Sequence, residues 1–274
     1  MKTSKELKVT AQDTILRMKT VARRMVGMYR LMDEQSSIEE NNVLGAYVTN
    51  ALSYERWRRF KTIVETHLYK DLTSPESMIK TIQKANQETG SLKDLLWAGE
   101  FTFPFQSVSI KIGNIMEHAT NEFVISQYAD MNDELKEPIK RFFGYKAQTD
   151  IAVKKGDTTM IAELKYNFNV DTEKSKAIAE KLDLFSLCLK DLYNGEGNGT
   201  TTNVSFVSFR YPTANDIPKL KPALEAIRAQ YIIGYQQFFN FFGTQVTEIM
   251  WKNLHKSIGK KVKRSFAENR YYAE

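Results

Sequence analysis

The chain has 274 residues, 42% hydrophobic and 26% charged, with a net charge of +6 and a pI of about 9.1. That composition describes an ordinary globular protein and excludes a disordered, collagen-like or disulfide-stapled chain. The basic balance suits a polyanionic partner without demonstrating one. Cys188 stands alone, so no intrachain disulfide forms; with Leu187 and Leu189 beside it, it reads as a buried thiol in a reducing, cytoplasmic setting. Met1 to Glu6 carry no apolar run, so no secretory signal is expected. The uncharged stretch from Tyr231 to Thr247 contains Gln236, Gln237 and Asn240, too short and polar to span a bilayer, so no membrane association is expected.

Residues 1–95 read as a helical N-terminal region. Ile15, Met18, Val21, Met25 and Met28 recur at helical spacing, with Thr10 or Asp13 as caps. A second helix is expected from about Val43 to Leu68, and a third after Ser74-Pro75-Glu76, ended by Gly90. Arg23, Arg24, Arg30, Arg56, Arg58, Arg59 and Lys61 read either as a solvated basic face or as a clamp on a phosphate backbone.

Residues 96–212 read as an α/β core. Trp97 through Phe105 is expected as a loop or short edge strand, then a Gly113–Tyr128 helix, a polar stretch around Pro138, and Arg141–Tyr145 leading into a hairpin. A helix over Thr172–Tyr193 follows, then the Gly195–Gly199 connection and a strand over Val204–Arg210. A helix joining two strands of one sheet is a crossover, which makes the fold class mixed α/β. Residues 213–274 read as helical again: Pro218–Ala229, an aromatic-rich Tyr231–Leu254, and a basic tail with Lys252, Lys256, Lys260, Lys261, Lys263 and Arg264 that is either disordered or in contact with phosphates.

The hairpin carries the chemistry. Glu-Leu-Lys occurs at 6–8, 134–136 and 163–165, and only the third copy lies in strand-like sequence. Ile151 and Val153 alternate on one side of the Lys155-Gly156-Asp157 turn, and 158–165 are rich in Thr, Met and Ile. With Gly156-Asp157 as the turn, Lys155 faces Thr158 and Asp150 falls directly opposite Glu163, at roughly 5 Å between Cβ atoms. Lys165, two residues on, shares that face. Opposed carboxylates repel unless positive charge lies between them, and Lys165 or a divalent cation supplies it. The competing reading is an Asp–Glu–Lys cluster on a solvated hairpin face.

Asp150 followed by Glu163-x-Lys165 across a hairpin resembles the PD-(D/E)xK nuclease superfamily, which includes most type II restriction endonucleases; Thr149 stands where the family usually has Pro. Ile112-Gly113-Asn114-Ile115-Met116-Glu117 resembles the family's preceding helix, whose Glu is a further carboxylate. The likeness covers roughly residues 107–212. It implies a restriction-endonuclease-like core, a mixed central sheet flanked by helices. It also implies a Mg²⁺ ion, with Mn²⁺ as substitute, held by Asp150, Glu163 and the Leu164 carbonyl with Glu117 joining. Lys165 would then steady the attacking water or the developing charge. Further implications are double-stranded DNA as substrate, 5′-phosphate products and a homodimer cutting a palindrome. Arg210 and Tyr211, at a strand end, and Lys260 and Lys261 in the tail are candidate DNA contacts. His67, His118 and His255 show no metal-ligand spacing. Two alternatives are a repair or recombination nuclease of the same fold, and a non-catalytic helical DNA-binding protein.

Overall fold

The computed structural model describes residues 37–88, 104–143, 149–166, 172–193, 201–218, 220 and 222–272. The expected first helix with its Met stripe, Arg23, Arg24 and Arg30, the Trp97 segment before Pro104, and the Gly195–Gly199 connection lie outside them. The chain divides into two compact units, Met1–Leu52 and Ser53–Glu274. The sheet, both cores and the charged cluster all belong to the second.

Helix α1 (Ser37–Leu68) opens ahead of the expected Val43, where Ser37 with Glu39 and Glu40 is a helix-start pattern. A single π turn, Tyr69–Thr73, ends it. Helix α2 (Pro75–Glu88) starts as expected: Pro75 occupies the first turn and the Ser74 hydroxyl accepts the Ser77 N–H at 3.3 Å. Helix α3 (Phe105–Ile125) begins inside the segment expected to be loop or edge strand. Val and Ile alternate with polar residues over 107–112 and imitate a strand. Val108, Ile115, Ala119 and Phe123 nevertheless recur at helical spacing and are all buried.

A two-residue strand β1 (Ala129–Asp130) leads into helix α4 (Asn132–Phe143), which replaces the expected polar stretch. Pro138 lies inside that helix. Its lost hydrogen bond is outweighed because Met131, Leu135 and Ile139 fall on one stripe and are buried. The Asp130 carboxylate accepts the Asn132 N–H at 3.0 Å at the start.

Strands β2 (Ile151–Lys155) and β3 (Thr158–Lys165) form the expected hairpin in the expected register, Lys155 opposite Thr158 through Ile151 opposite Ala162. Gly156 takes φ 56° at the tip. Helix α5 (Thr172–Tyr193) crosses over to β4 (Thr201–Ser208), which runs parallel to β3. The strand thus stops before Phe209 and Arg210, short of the expected Arg210.

The C-terminal region departs most from expectation. Helix α6 (Pro222–Tyr231) starts later than Pro218, and the expected Tyr231–Leu254 helix is divided. It becomes strand β5 (Ile232–Gly234), parallel to β4, helix α7 (Tyr235–Phe241) and helix α8 (Glu248–Asn269). Gly243, at φ 68°, turns the chain after α7. Arg56 donates to the carbonyls of Phe242 (3.1 Å) and Gly243 (3.0 Å), so this arginine closes a helix end rather than contributing to a basic face. The Thr247 hydroxyl accepts the Met250 N–H and starts α8. The basic tail is therefore helix up to Asn269, not disordered chain.

The sheet order is β1-β2-β3-β4-β5, antiparallel through β3 and parallel beyond it. Alternation along the strands sorts its side chains. Ile151, Val153, Met160, Ala162 and Leu164 join a core with α1, α2, α3, α7 and α8. Ala152, Ile161, Val204 and Phe206 join a second core with α4, α5 and α6. The result is a five-stranded mixed sheet between two helical layers. Cys188 is buried in the second core, and burial pushes its thiol up to about 11. Among the described residues no helix is long and apolar enough to cross a membrane.

Candidate active site

The carboxyl end of β3 lies where the sheet changes from antiparallel to parallel pairing, and the charged residues gather there. Asp150 sits in the bend just before β2, and continuing the hairpin register by one pair sets it opposite Glu163. Asp150 Oδ2 accepts the backbone N–H of Leu164 at 2.7 Å. Its own carbonyl accepts the side-chain amide of Asn121 on α3. Thr149, in the position ahead of it, donates its hydroxyl to Asn132 Oδ1 at 3.2 Å.

Glu163 is buried, with both carboxylate oxygens held by lysines. Lys165 Nζ is 3.3 Å from Oε1, and Lys181 Nζ donates to Oε2 at 2.6 Å. Lys165 also faces Glu117 Oε1, at 4.0 Å. Glu117 belongs to a ridge of α3 that lies along the end of the hairpin. Gly113 approaches Tyr166, so that a Cβ there would be 3.6 Å from the Tyr166 Cβ. One turn on, Glu117 meets Lys165, and one turn further Asn121 reaches Asp150.

Three carboxylates thus share two ammonium groups. Burial raises the Glu117 pKa to about 7; Lys165 opposes the shift, and the nearby charges of Asp150 and Glu163 add to it. Asp150 is likewise raised, first by burial and then by Glu163. Burial works against the charge on Lys165, but the pull of Glu163, Asp150 and Glu117 wins and holds its pKa above the usual lysine value.

Among the described residues no group of three or more His, Cys, Asp or Glu side chains is arranged to hold a metal ion. At Glu163 both carboxylate oxygens engage ammonium groups. The donors themselves are carboxylate and carbonyl oxygens, the hard set that suits Mg²⁺ or Mn²⁺ and not zinc. The carboxylates of Asp150, Glu163 and Glu117 outnumber the ammonium groups of Lys165 and Lys181, a charge balance that fits the same class of ion.

The candidate DNA contacts fall in two places. Lys165 pairs with Ser208 across β3 and β4, so Arg210 and Tyr211 follow at the same sheet end. Both donate their N–H groups to Ser208 Oγ at 3.3 Å. Arg210 is exposed, its guanidinium 5.6 Å from the Tyr211 ring centre. Burial raises the Tyr166 hydroxyl pKa and Arg210 opposes that shift, which places the arginine's charge near the residue that follows Lys165. Lys260 and Lys261 lie on α8. Lys260 is exposed, and Lys261 pairs with Glu65 of α1 at 3.2 Å.

Two residues of the cluster escaped the sequence reading. Lys181 lies among the sheet-facing positions Ile178, Leu182 and Phe185 of α5, and a lysine inside an apolar arc was the available signal. Asn121 follows Glu117 by one turn, and only the packing of α3 on the hairpin reveals its use. His255 packs its ring against Tyr166, centres 5.7 Å apart, while His67 and His118 sit elsewhere. His67 Nε2 is 2.8 Å from Glu122 Oε2 and Nδ1 is 3.6 Å from Asp71. His67 and His118 line a cavity of about 920 Å³ with Lys70, Asp71 and Lys111. That cavity opens on the face of α3 neighbouring Glu117, not on the carboxylate cluster. No family model matches the chain, and comparison with curated proteins and with solved structures also gives no match.

Proposed function

We propose that the protein is a divalent-metal-dependent nuclease of the PD-(D/E)xK kind, hydrolysing phosphodiester bonds of double-stranded DNA. The observation that carries this reading is the convergence of Asp150, Glu163, Lys165 and Glu117 at one end of β3. The order helix, short strand, helix, two-strand hairpin, crossover helix, parallel strand supports it too, since it gives the mixed sheet flanked by helices that the resemblance implies. Asp150, Glu163 and the Leu164 carbonyl would hold Mg²⁺ or Mn²⁺, with Glu117 beside them. When bound, such an ion supplies Lewis-acid polarisation of a phosphoryl oxygen and a lowered pKa for attacking water.

The chain's own residues have distinct tasks in this reading. Lys165, kept charged by the carboxylates around it, stabilises the charge that develops on the phosphoryl oxygens. Glu117, poised near neutrality, accepts a proton at a carboxylate oxygen as water attacks. Asn121 and the Leu164 N–H hold Asp150 in place. Arg210 engages the DNA backbone at the same sheet end. The finer assignment, a type II restriction endonuclease acting as a homodimer on a palindrome, rests on the resemblance.

The purified protein is expected to cut or nick plasmid DNA in Mg²⁺ and not in EDTA. Asp150→Ala and Lys165→Ala should each lower cutting by roughly 10²–10³-fold or more, with circular dichroism and DNA binding little changed. Normal cutting by both variants would show that this site does not do the chemistry. Discrete fragments of a sequenced plasmid support restriction; cleavage that follows DNA structure rather than sequence supports repair or recombination.

A further inference from the structure

Glu163 is the most heavily engaged carboxylate of the cluster, and the shorter of its two lysine contacts comes from α5, not from the hairpin. Lys181 Nζ lies 2.6 Å from Oε2, against 3.3 Å for Lys165 Nζ to Oε1. The pair is largely out of solvent, at 23% side-chain exposure for Lys181 and 11% for Glu163. A charge-assisted bond so shielded is stronger than an exposed pair. Phe185, one turn along α5, places its ring centre 5.4 Å from the Lys181 nitrogen and limits where that amine can go.

The position is informative because of what else it serves. α5 turns Leu182, Phe185 and Leu189 onto the sheet, and an apolar side chain at 181 would extend that stripe. A lysine there instead engages one oxygen of the carboxylate that a divalent cation on Asp150 and Glu163 would use, while Lys165 engages the other. Two cations cannot share Oε2 without repulsion.

We propose that Lys181 is an internal competitor for the metal. In the metal-free protein its ammonium holds Glu163 Oε2, keeping a buried carboxylate neutralised and oriented. It must let go of that oxygen before the carboxylate ligates a divalent ion. Lys181 is thus a positioning residue that sets metal affinity and holds the Glu163 carboxylate in place. The inference rests on the nuclease reading of the Asp150–Glu163 site.

The test is calorimetric titration of Mn²⁺ and of Mg²⁺ into the full-length chain without DNA, for wild type, Lys181→Gln, Lys181→Met, Lys181→Arg and Glu163→Gln, paired with thermal melts with and without Mn²⁺. Removing the charge should tighten Mn²⁺ binding about tenfold or more in both neutral variants and enlarge the Mn²⁺-induced rise in Tm. Lys181→Arg should stay near wild type, and Glu163→Gln should lose binding. A merely structural lysine would lower the metal-free Tm without tightening metal binding. Unchanged or weaker binding in Lys181→Gln and Lys181→Met, with Glu163→Gln still abolishing it, overturns this inference and leaves the nuclease site standing. Identical titrations for Glu163→Gln and wild type overturn both.

Discussion

Glu117 shows how one residue's surroundings become a pH dependence. Its carboxyl, which ordinarily titrates near 4.5, is raised to about 7, chiefly by burial. The folded state therefore binds this proton more tightly than the unfolded chain does. The stability it contributes is complete below pH 4.5 and is lost as pH rises through about 7. Asp150 is shifted in the same direction and adds to the trend. Thermal melts in EDTA should show a Tm that falls as pH rises from about 5 to 8. Glu117→Gln, which cannot ionise, should flatten that slope, and Mg²⁺ should restore stability to the wild type at the alkaline end. A slope as steep in Glu117→Gln as in wild type would assign the effect to other groups. Legibility at this scale followed locality. Asp150, Glu163 and Lys165 could be placed together from the sequence because a two-residue turn fixes register and strand alternation fixes faces. Lys181 could not, because it lies on the crossover helix and only the packing of that helix on the sheet brings it to Glu163.

Among the elements, β5 and its surroundings were the least legible. Ile232-Ile233-Gly234 lies in an aromatic-rich run with no local signal for a strand, and only β4 beside it supplies the pairing. Pro138 misled in the opposite direction, marking a break where buried Leu135 and Ile139 sustain a helix. Glycines at three positions separate the physical reasons for such geometry. At Gly234 a Cβ would lie 2.2 Å from the Pro212 carbonyl oxygen and 2.4 Å from the Thr213 nitrogen, both backbone atoms. Tyr235 and Gln236 donate N–H groups to the carbonyls of Tyr211 and Pro212, so this approach also fixes the chain just after Arg210. Gly234→Ala should cost about 1–3 kcal/mol or more in urea unfolding and weaken DNA binding through the displaced Arg210. Gly156→Ala meets nothing within 4 Å and suffers only its positive φ, a penalty of about 1 kcal/mol with cutting unchanged. Gly113→Ala meets Tyr166 at an ordinary contact distance and should be close to neutral. Equal losses at 156 and 234 would mean that the Pro212–Thr213 backbone yields to a Cβ at 234 and that the close approach does not demand glycine there.

At the scale of the whole Ser53–Glu274 unit, the sequence reading separated helical flanks from an α/β core at 95 and 212, because composition changes there. The aromatic cluster joins those regions instead. Trp57 and Phe60 of α1, Phe123 of α3, Phe209 beyond β4, Phe239 of α7 and Trp251 of α8 are buried in one core. Trp251 is central to it. Its ring stacks on Tyr235 with centres 4.4 Å apart and an interplanar angle of 11°, and its Nε1–H donates to the Phe209 carbonyl at 3.0 Å. The hydrogen bond anchors the backbone next to Arg210, so α8 supports the candidate site without contributing to its carboxylates. Trp251→Ala should destabilise the unit by about 3–5 kcal/mol through the cavity it leaves. Trp251→Phe keeps most of the packing but leaves the Phe209 carbonyl without its donor, at a cost of about 1–3 kcal/mol. Since one core spans elements from α1 to α8, the loss should be shared by all of them. Urea transitions followed by tryptophan fluorescence, far-UV circular dichroism and Mg²⁺-dependent cutting should shift together in both variants. An early loss of fluorescence with β-sheet signal and cutting retained would show that the C-terminal helices fold as an appendage, and that the division at 212 is physical after all.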